Sequence, residues 1–219
     1  APVLGATPEW RAALRVRYAG LRAVEPLAFG RRGRDPARRR SFLVTREVRD
    51  AVSLETCLEA WAAGRTVRTP SGSELPPPGA RERIRMVEAV ARTVRRLHDA
   101  GINHRDLYVC HLWLCDAPSP DGAPAFLLMD LHRAQIRDVV PERWRRKDLA
   151  ALLYSVRSLA PSRSVRLRFL RAYAGTDLRT ALVDPRDALA VDAGFWGRVA
   201  RRAEGLVRRH GRDEQDPAA

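Results

Sequence analysis

Gly101-Ile102-Asn103-His104-Arg105-Asp106-Leu107-Tyr108-Val109-Cys110-His111 and, further on, Leu128-Met129-Asp130-Leu131-His132 are the two stretches that decide how this chain reads. Between them, apolar runs at Val109–Cys115 and Ala125–Met129 flank Asp116–Pro124, a segment full of Pro, Gly and Asp. That pattern predicts a β-hairpin with a loop of medium length. Asp106 stands just before the first strand and Asp130 just after the second, and in an antiparallel ribbon those two positions share one end. His111, at the beginning of the first strand, is expected there too. Two carboxylates meeting at a strand edge suit phosphoryl transfer: one accepts a hydroxyl proton and the other holds a magnesium ion that bridges nucleotide phosphates. Aspartates are also ordinary turn residues at strand ends, and on geometry alone both readings stand open.

Outward from this ribbon, helical spacing dominates. Ile84, Val87, Val90, Ala91, Val94 and Leu97 mark a helix over Arg81–Ala100 that stops at Gly101. Leu149, Leu152, Leu153 and Val156 mark another over Trp144–Ala160, ended by Pro161, and further helices are expected over Ser162–Ala174 and Gly194–Arg209. Upstream, Thr7 as cap, Pro8 at the first position and Gly20 as stop predict an opening helix. Strands are expected at Ala23–Phe29 and Ser41–Val48, with a helix from about Ser53 to Ala62. The fold class is therefore α+β, divided into residues 1–63, a flexible loop over 64–79, a helical unit with the hairpin over 80–210, and a polar tail over 211–219.

A formal net charge of +14 permits an anionic partner without naming one, because the basic residues are spread along the chain and are arginine except for Lys147. No helix-turn-helix, zinc-finger or RNA-binding motif is present, so no nucleic acid is expected. No apolar run approaches the roughly 20 residues that cross a bilayer, and Ala1–Thr7 lack a signal peptide's features; the expected location is cytoplasmic. Cys57, Cys110 and Cys115 are too few and too uneven for a disulfide framework. A zinc set of Cys110, His111, Cys115 and His132 is conceivable but lacks paired ligand spacing.

His104-Arg105-Asp106 resembles the H-R-D catalytic loop of protein kinases, and Asp130 falls where their D-F-G aspartate stands. The resemblance implies a protein-kinase-like fold, with a partial N-lobe and a mainly helical C-lobe. Asp106 would be the base that orients the acceptor hydroxyl and Asp130 a metal ligand. His111 replaces the kinase asparagine five residues after the catalytic aspartate, and would ligate metal or hydrogen-bond Asp106. Leu131-His132 replaces the phenylalanine and glycine, which predicts a segment that does not flip. Asn-His-Arg-Asp-x-Tyr-x-Cys-His followed by Asp130-Leu131-His132-Arg133-Ala134-Gln135-Ile136-Arg137 looks like the lipopolysaccharide core heptose kinases. The likeness extends over Val140–Leu149 and back to Pro2–Ala6, Glu9-Trp10 and Ser41–Thr45.

From this family resemblance, Asp148 is expected to anchor the catalytic loop's backbone, Arg105 to be structural, and His104 to pack beneath the loop. Glu47 and Val48 would form the hinge behind the adenine. Glu9 matches the helix-C glutamate that pairs with an ATP-binding lysine, although an acid near a helix start is also an ordinary dipole partner. Ahead of Glu9 there is neither a glycine-rich loop nor a lysine, which leaves a piece of a longer active enzyme or a reduced pseudoenzyme as alternatives; the match of Pro2–Trp10 to the family interior favours the first. The implied function is ATP- and Mg2+-dependent phosphorylation of an inner-core heptose of lipopolysaccharide, with peripheral contact at the inner membrane. A related kinase acting on a Kdo sugar or protein tyrosine, and a basic anion-binding module, stand as alternatives.

Overall fold

The computed structural model describes residues 6–33, 35, 40–175 and 193–213. Helix α1 (Ala6–Tyr18) begins one residue before the expected cap, and the Ala6 N–H donates to Ser41 Oγ at 3.0 Å. It ends in a Schellman motif: the Leu21 N–H reaches back to Val16 O and the Gly20 N–H to Arg17 O. Gly20, at φ +70°, is the residue type that accepts this left-handed corner. Ala12, Ala13 and Val16 are buried on the helix's inner face.

Strand β1 (Arg22–Ala23) follows at once, then β2 (Pro26–Arg32) and β3 (Arg40–Thr45) pair as an antiparallel hairpin. β3 ends before Val48, because Arg46–Asp50 leave the ladder before β4 (Ala51–Ser53). Helix α2 (Leu54–Ala62) comes next. The Pro- and Gly-rich stretch 64–79, expected as a flexible loop, contains a ribbon of β5 (Val67–Arg68) on β6 (Glu74–Leu75). It is tied down by Ser73 Oγ donating to Asp116 Oδ2 at 2.6 Å and Trp61 Nε1 donating to Leu75 O at 3.0 Å. Composition hid these strands because each is two residues long, too short for a period.

Helix α3 (Ala80–Asp99) buries an apolar stripe of Ala89, Val90, Ala91, Val94 and Leu97; each valine or leucine so buried contributes about 1.5–3 kcal/mol. It stops at Gly101, at φ +78°, where a Cβ would stand 1.8 Å from Arg137 O. Strands β7 (Ile102–Asn103), β8 (Leu112–Cys115), β9 (Phe126–Leu128) and β10 (Gln135–Ile136) then frame the functional region. β8 and β9 form the expected hairpin, with Leu112 opposite Leu128 and Leu114 opposite Phe126. They lie at the centre of a four-stranded sheet ordered β1-β9-β8-β4, where β1 runs parallel to β9. β10 pairs antiparallel with β7.

The first hairpin strand is shorter than expected. Val109–His111 form a single 3-10 turn, closed by His111 N–H to Tyr108 O, so His111 stands before the strand and not within it. Helix α4 (Glu142–Ser155) starts two residues early and ends five early; a short 3-10 turn and a left-handed Ala160 lead to Pro161. Helix α5 (Arg163–Ala174) packs on α3, and α6 (Ala193–Asp213) packs on α4. α6 takes in residues 211–213 of the tail expected over 211–219, and the remainder of that tail lies outside the described residues. One continuous apolar core joins α1, α3, the β8–β9 ribbon and the helices that follow. Among the described residues no helix is long and apolar enough to cross a membrane.

Candidate active site

The open end of the β8–β9 ribbon is where the chemistry-bearing residues meet. The ladder continues one step past Leu112 and Leu128, with the Met129 N–H donating to His111 O at 2.9 Å. His111 therefore sits directly across from the residue preceding Asp130. Its Nδ1 is 2.7 Å from the carbonyl oxygen of Asp106, and its Nε2 is 3.4 Å from Asp130 Oδ2. One imidazole thus links the two segments that carry Asp106 and Asp130, and both aspartates lie at the same lip of the ribbon. Arg133 completes the group, donating from Nη1 to Asp106 Oδ1 at 2.9 Å. Asp106 Oδ2 has no hydrogen-bond partner among the described residues.

Hydrogen-bond chemistry fixes the state of His111. A carbonyl oxygen only accepts, so the proton must be on Nδ1. In the neutral ring this leaves the Nε2 lone pair aimed at a carboxylate oxygen, an arrangement that needs a proton or a metal cation between them. The second oxygen of Asp130 is held by His132 Nδ1. A second ring proton bridges such a pair as well as a cation does; of the two side chains, the Asp130 carboxylate is the oxygen donor of the kind Mg2+ takes, and His111 Nε2 stands beside it as a second donor that could join it. The alternative zinc set is not assembled: no group of three or more such ligands able to hold a metal occurs among the described residues.

The loop carrying Asp106 is fastened from below. Asp148 on α4 is fully buried, and its carboxylate accepts the His104 N–H at 2.7 Å and the Arg105 N–H at 2.8 Å. His98 Nε2 lies 3.3 Å from the same carboxylate, and its Nδ1 is 2.7 Å from the Tyr173 hydroxyl on α5. Burial pushes the Tyr173 hydroxyl's pKa up, so it stays protonated. His104 donates from Nε2 to Met129 O at 2.9 Å and stacks its ring on that of His111 at 5.8 Å. Burial holds His104 below the usual histidine range despite Asp148 and the Met129 carbonyl pulling the other way, so it is a neutral packing residue. Arg105 and Asp130 both have positive φ, 77° and 53°. Such backbone costs about 1–2 kcal/mol per residue and persists where surroundings over-determine it.

Helix α1 brings Glu9 to the same lip. Burial is the first cause of its raised pKa and the neighbouring Asp130 the second, with His132 opposing them. No ion pair with Glu9 is formed among the described residues. Glu47 and Val48 lie elsewhere. Their segment leads into β4, whose Ala51 pairs with Cys115 at the far end of β8. Glu47 lines an open cleft with Leu27, Thr45 and Asp50, and Val48 packs against the small Ala51–Cys115–Ala125 cluster. Sequence reasoning missed Arg133, His98 and Tyr173. Arg133 lay in the quoted motif, but an arginine among so many gives no signal; the other two are joined to the loop only by packing.

The chain as a whole is similar in sequence to proteins of known description. The lipopolysaccharide core heptose(I) kinase WaaP of Pseudomonas aeruginosa is 44% identical over 210 residues, spanning 95% of this chain and 71% of that protein. The protein of the same description from Escherichia coli K12 is 37% identical over 204 residues, 93% of this chain and 72% of its own length. A solved structure described as WaaP in complex with acyl carrier protein superimposes with a TM-score of 0.73 at 41% identity, covering 92% of this chain and 76% of that one. The α+β architecture is accordingly that of the solved WaaP structure, and the kinase descriptions of these relatives imply use of ATP. The sequence profile of the Lipopolysaccharide kinase (Kdo/WaaP) family matches residues 1–173, and this chain belongs to that family.

Proposed function

We propose that this chain is an ATP-dependent kinase that phosphorylates a heptose hydroxyl of the lipopolysaccharide inner core, with Asp106 as the base. The observation that carries this reading is the convergence of Asp106, His111 and Asp130 at one end of the ribbon. Asp106 is about one-sixth exposed, open to an incoming hydroxyl yet held at one oxygen by Arg133. Its free oxygen accepts the sugar O–H and orients that hydroxyl toward the transferred phosphoryl group. A Mg2+ ion held by Asp130 and His111 supplies charge neutralisation for the nucleotide's phosphates when bound. Asp148 keeps the loop rigid through two backbone N–H groups, and such positioning is where phosphoryl-transfer enzymes gain most. Glu47 and Val48, in the segment ahead of β4 and away from the Asp106–Asp130 end, would form the hinge behind the adenine. Glu9 faces the metal end, where an incoming lysine would find an acidic partner.

The reaction belongs at the cytoplasmic face of the inner membrane, where ATP meets a lipid-linked acceptor. The net charge of +14 suits peripheral attraction to anionic headgroups there. The test is transfer of labelled phosphate from ATP to dephosphorylated core oligosaccharide by the full-length protein, followed by product mass and sugar analysis. Asp106→Asn should lower turnover by about 10²–10⁴-fold. Absence of sugar phosphate from the parent, or equal rates in parent and Asp106→Asn, removes the proposal.

A further inference from the structure

Around Trp144 the described residues gather a cluster of positive charge. Lys147 Nζ stands 4.6 Å from the indole centroid, and the guanidinium carbons of Arg143, Arg137 and Arg105 stand 5.3, 5.4 and 5.7 Å from it. The start of α4 supplies Arg143, Arg146 and Lys147, and one turn of α6 supplies Arg198 and Arg202 across from them. These five and Trp144 line a cleft of about 400 Å³. Among the described residues, Glu142 stands 2.9 Å from Arg198 and 3.6 Å from Arg146. Burial first, then the charges of Arg202, Arg105 and Arg133, push the pKa of Lys147 down, with Asp148 opposing them.

Clustered like charges destabilise a fold unless something offsets them, and the position of this cluster indicates what does. Arg105 adjoins Asp106 in the chain, and Arg133, within electrostatic reach of Lys147, is bonded to the Asp106 carboxylate. The cleft therefore opens beside the catalytic loop. We propose that the cleft between α4 and α6 is a subsite for an oxyanion, phosphate or carboxylate, carried by the acceptor a short distance from the hydroxyl that Asp106 engages. This rests on the kinase reading of the Asp106 site. Arginine forks match planar and tetrahedral oxyanions through paired N–H bonds, and the indole gives the sugar an apolar floor. The nucleotide's own phosphates are accounted for at the Asp130 end.

The experiment is calorimetric titration of the full chain, without nucleotide, against three forms of the core oligosaccharide: one with its carboxylates and no phosphate, one with a phosphate and its carboxylates reduced to alcohols, and a neutral one with neither. The parent should bind at least one charged form about tenfold more tightly than the neutral one, and which form gains identifies the oxyanion. Arg143→Gln/Arg202→Gln, two exposed residues that touch neither Asp106 nor Asp130, should bind all three as weakly as the parent binds the neutral form. Arg143→Lys/Arg202→Lys should recover most of the preference. A parent without charge preference, or a glutamine double variant that keeps it at unchanged melting temperature, overturns the proposal. Transfer is measured separately: charge-selective binding without transfer keeps the subsite and removes the kinase reading, whereas transfer without selectivity does the reverse.

Discussion

Replacing Asp148 by asparagine should cost this protein about 2–3 kcal/mol of stability, although the change swaps one oxygen for one nitrogen. The carboxylate is fully buried and accepts two backbone N–H groups, one at each oxygen, at 2.7 and 2.8 Å. An amide has one accepting oxygen, so either the His104 or the Arg105 N–H must face an NH2 donor. A buried donor left without an acceptor costs about 1–3 kcal/mol, and the surviving bond loses its charge assistance. The opposing effect is relief from burying a charge. It is the smaller term here, because three hydrogen-bonding groups surround that charge, including His98 at 3.3 Å. Asp148→Ala abandons both N–H groups and should cost about 3–5 kcal/mol, a large part of a typical total of roughly 5–15. Urea unfolding at neutral pH should show midpoints falling by about 1 M or more for asparagine and further for alanine. Turnover per folded molecule should fall as well, because the loop carrying Asp106 loses its fastening. A midpoint for Asp148→Asn within the error of the parent, or alanine no worse than asparagine, would refute the reasoning.

Gly101→Ala should destabilise by about 3 kcal/mol or more, since its Cβ meets the Arg137 carbonyl at 1.8 Å and its φ of +78° is itself costly; a thermal melt unchanged from the parent contradicts this. Burial keeps His104 neutral, so below its ordinary pKa of 6.5 the unfolded chain takes up a proton that the folded chain refuses. That contribution is complete above pH 6.5 and is lost as pH falls toward the depressed folded value. His104→Gln, which keeps an N–H for the Met129 carbonyl, should flatten the acid limb of stability below pH 6.5, and an unaltered slope counts against the assignment. His111→Asn exchanges a nitrogen ligand for an oxygen and should shift cation preference from Mn2+ toward Mg2+, read as the ratio of kcat/KM with each ion; an unmoved ratio means that His111 does not ligate. Arg133→Gln should change stability by less than about 1 kcal/mol, because its ion pair is half-exposed, while lowering turnover.

Much of this was legible before any coordinates. The β8–β9 ribbon declared itself through two apolar runs around a Pro/Gly/Asp loop, and the ribbon's geometry forced Asp106 and Asp130 to one end. The stops of α1 and α3 were readable because Gly20 and Gly101 both sit at left-handed corners. The short elements were not legible: β5, β6, β7 and β10 have two residues each, and nothing periodic survives in so few. The site's support was hidden for another reason. Tyr173 and His98 lie 75 positions apart, and their link to the Asp148 carboxylate exists only because α5 packs on α3. Arg133 was hidden by abundance, since in a chain with so many arginines the one that meets Asp106 looks like any other.

The short tether between α1 and β1 has a mechanical consequence. Helix α1, which carries Glu9, runs through a tight corner straight into a strand laid alongside β9, and β9 leads directly to Asp130. Leu131, the residue after Asp130, is fully buried. Helix, strand and acid are thus coupled through one short backbone path. Shared anchoring of this kind predicts that little of a ligand's affinity is consumed in selecting a rare conformer.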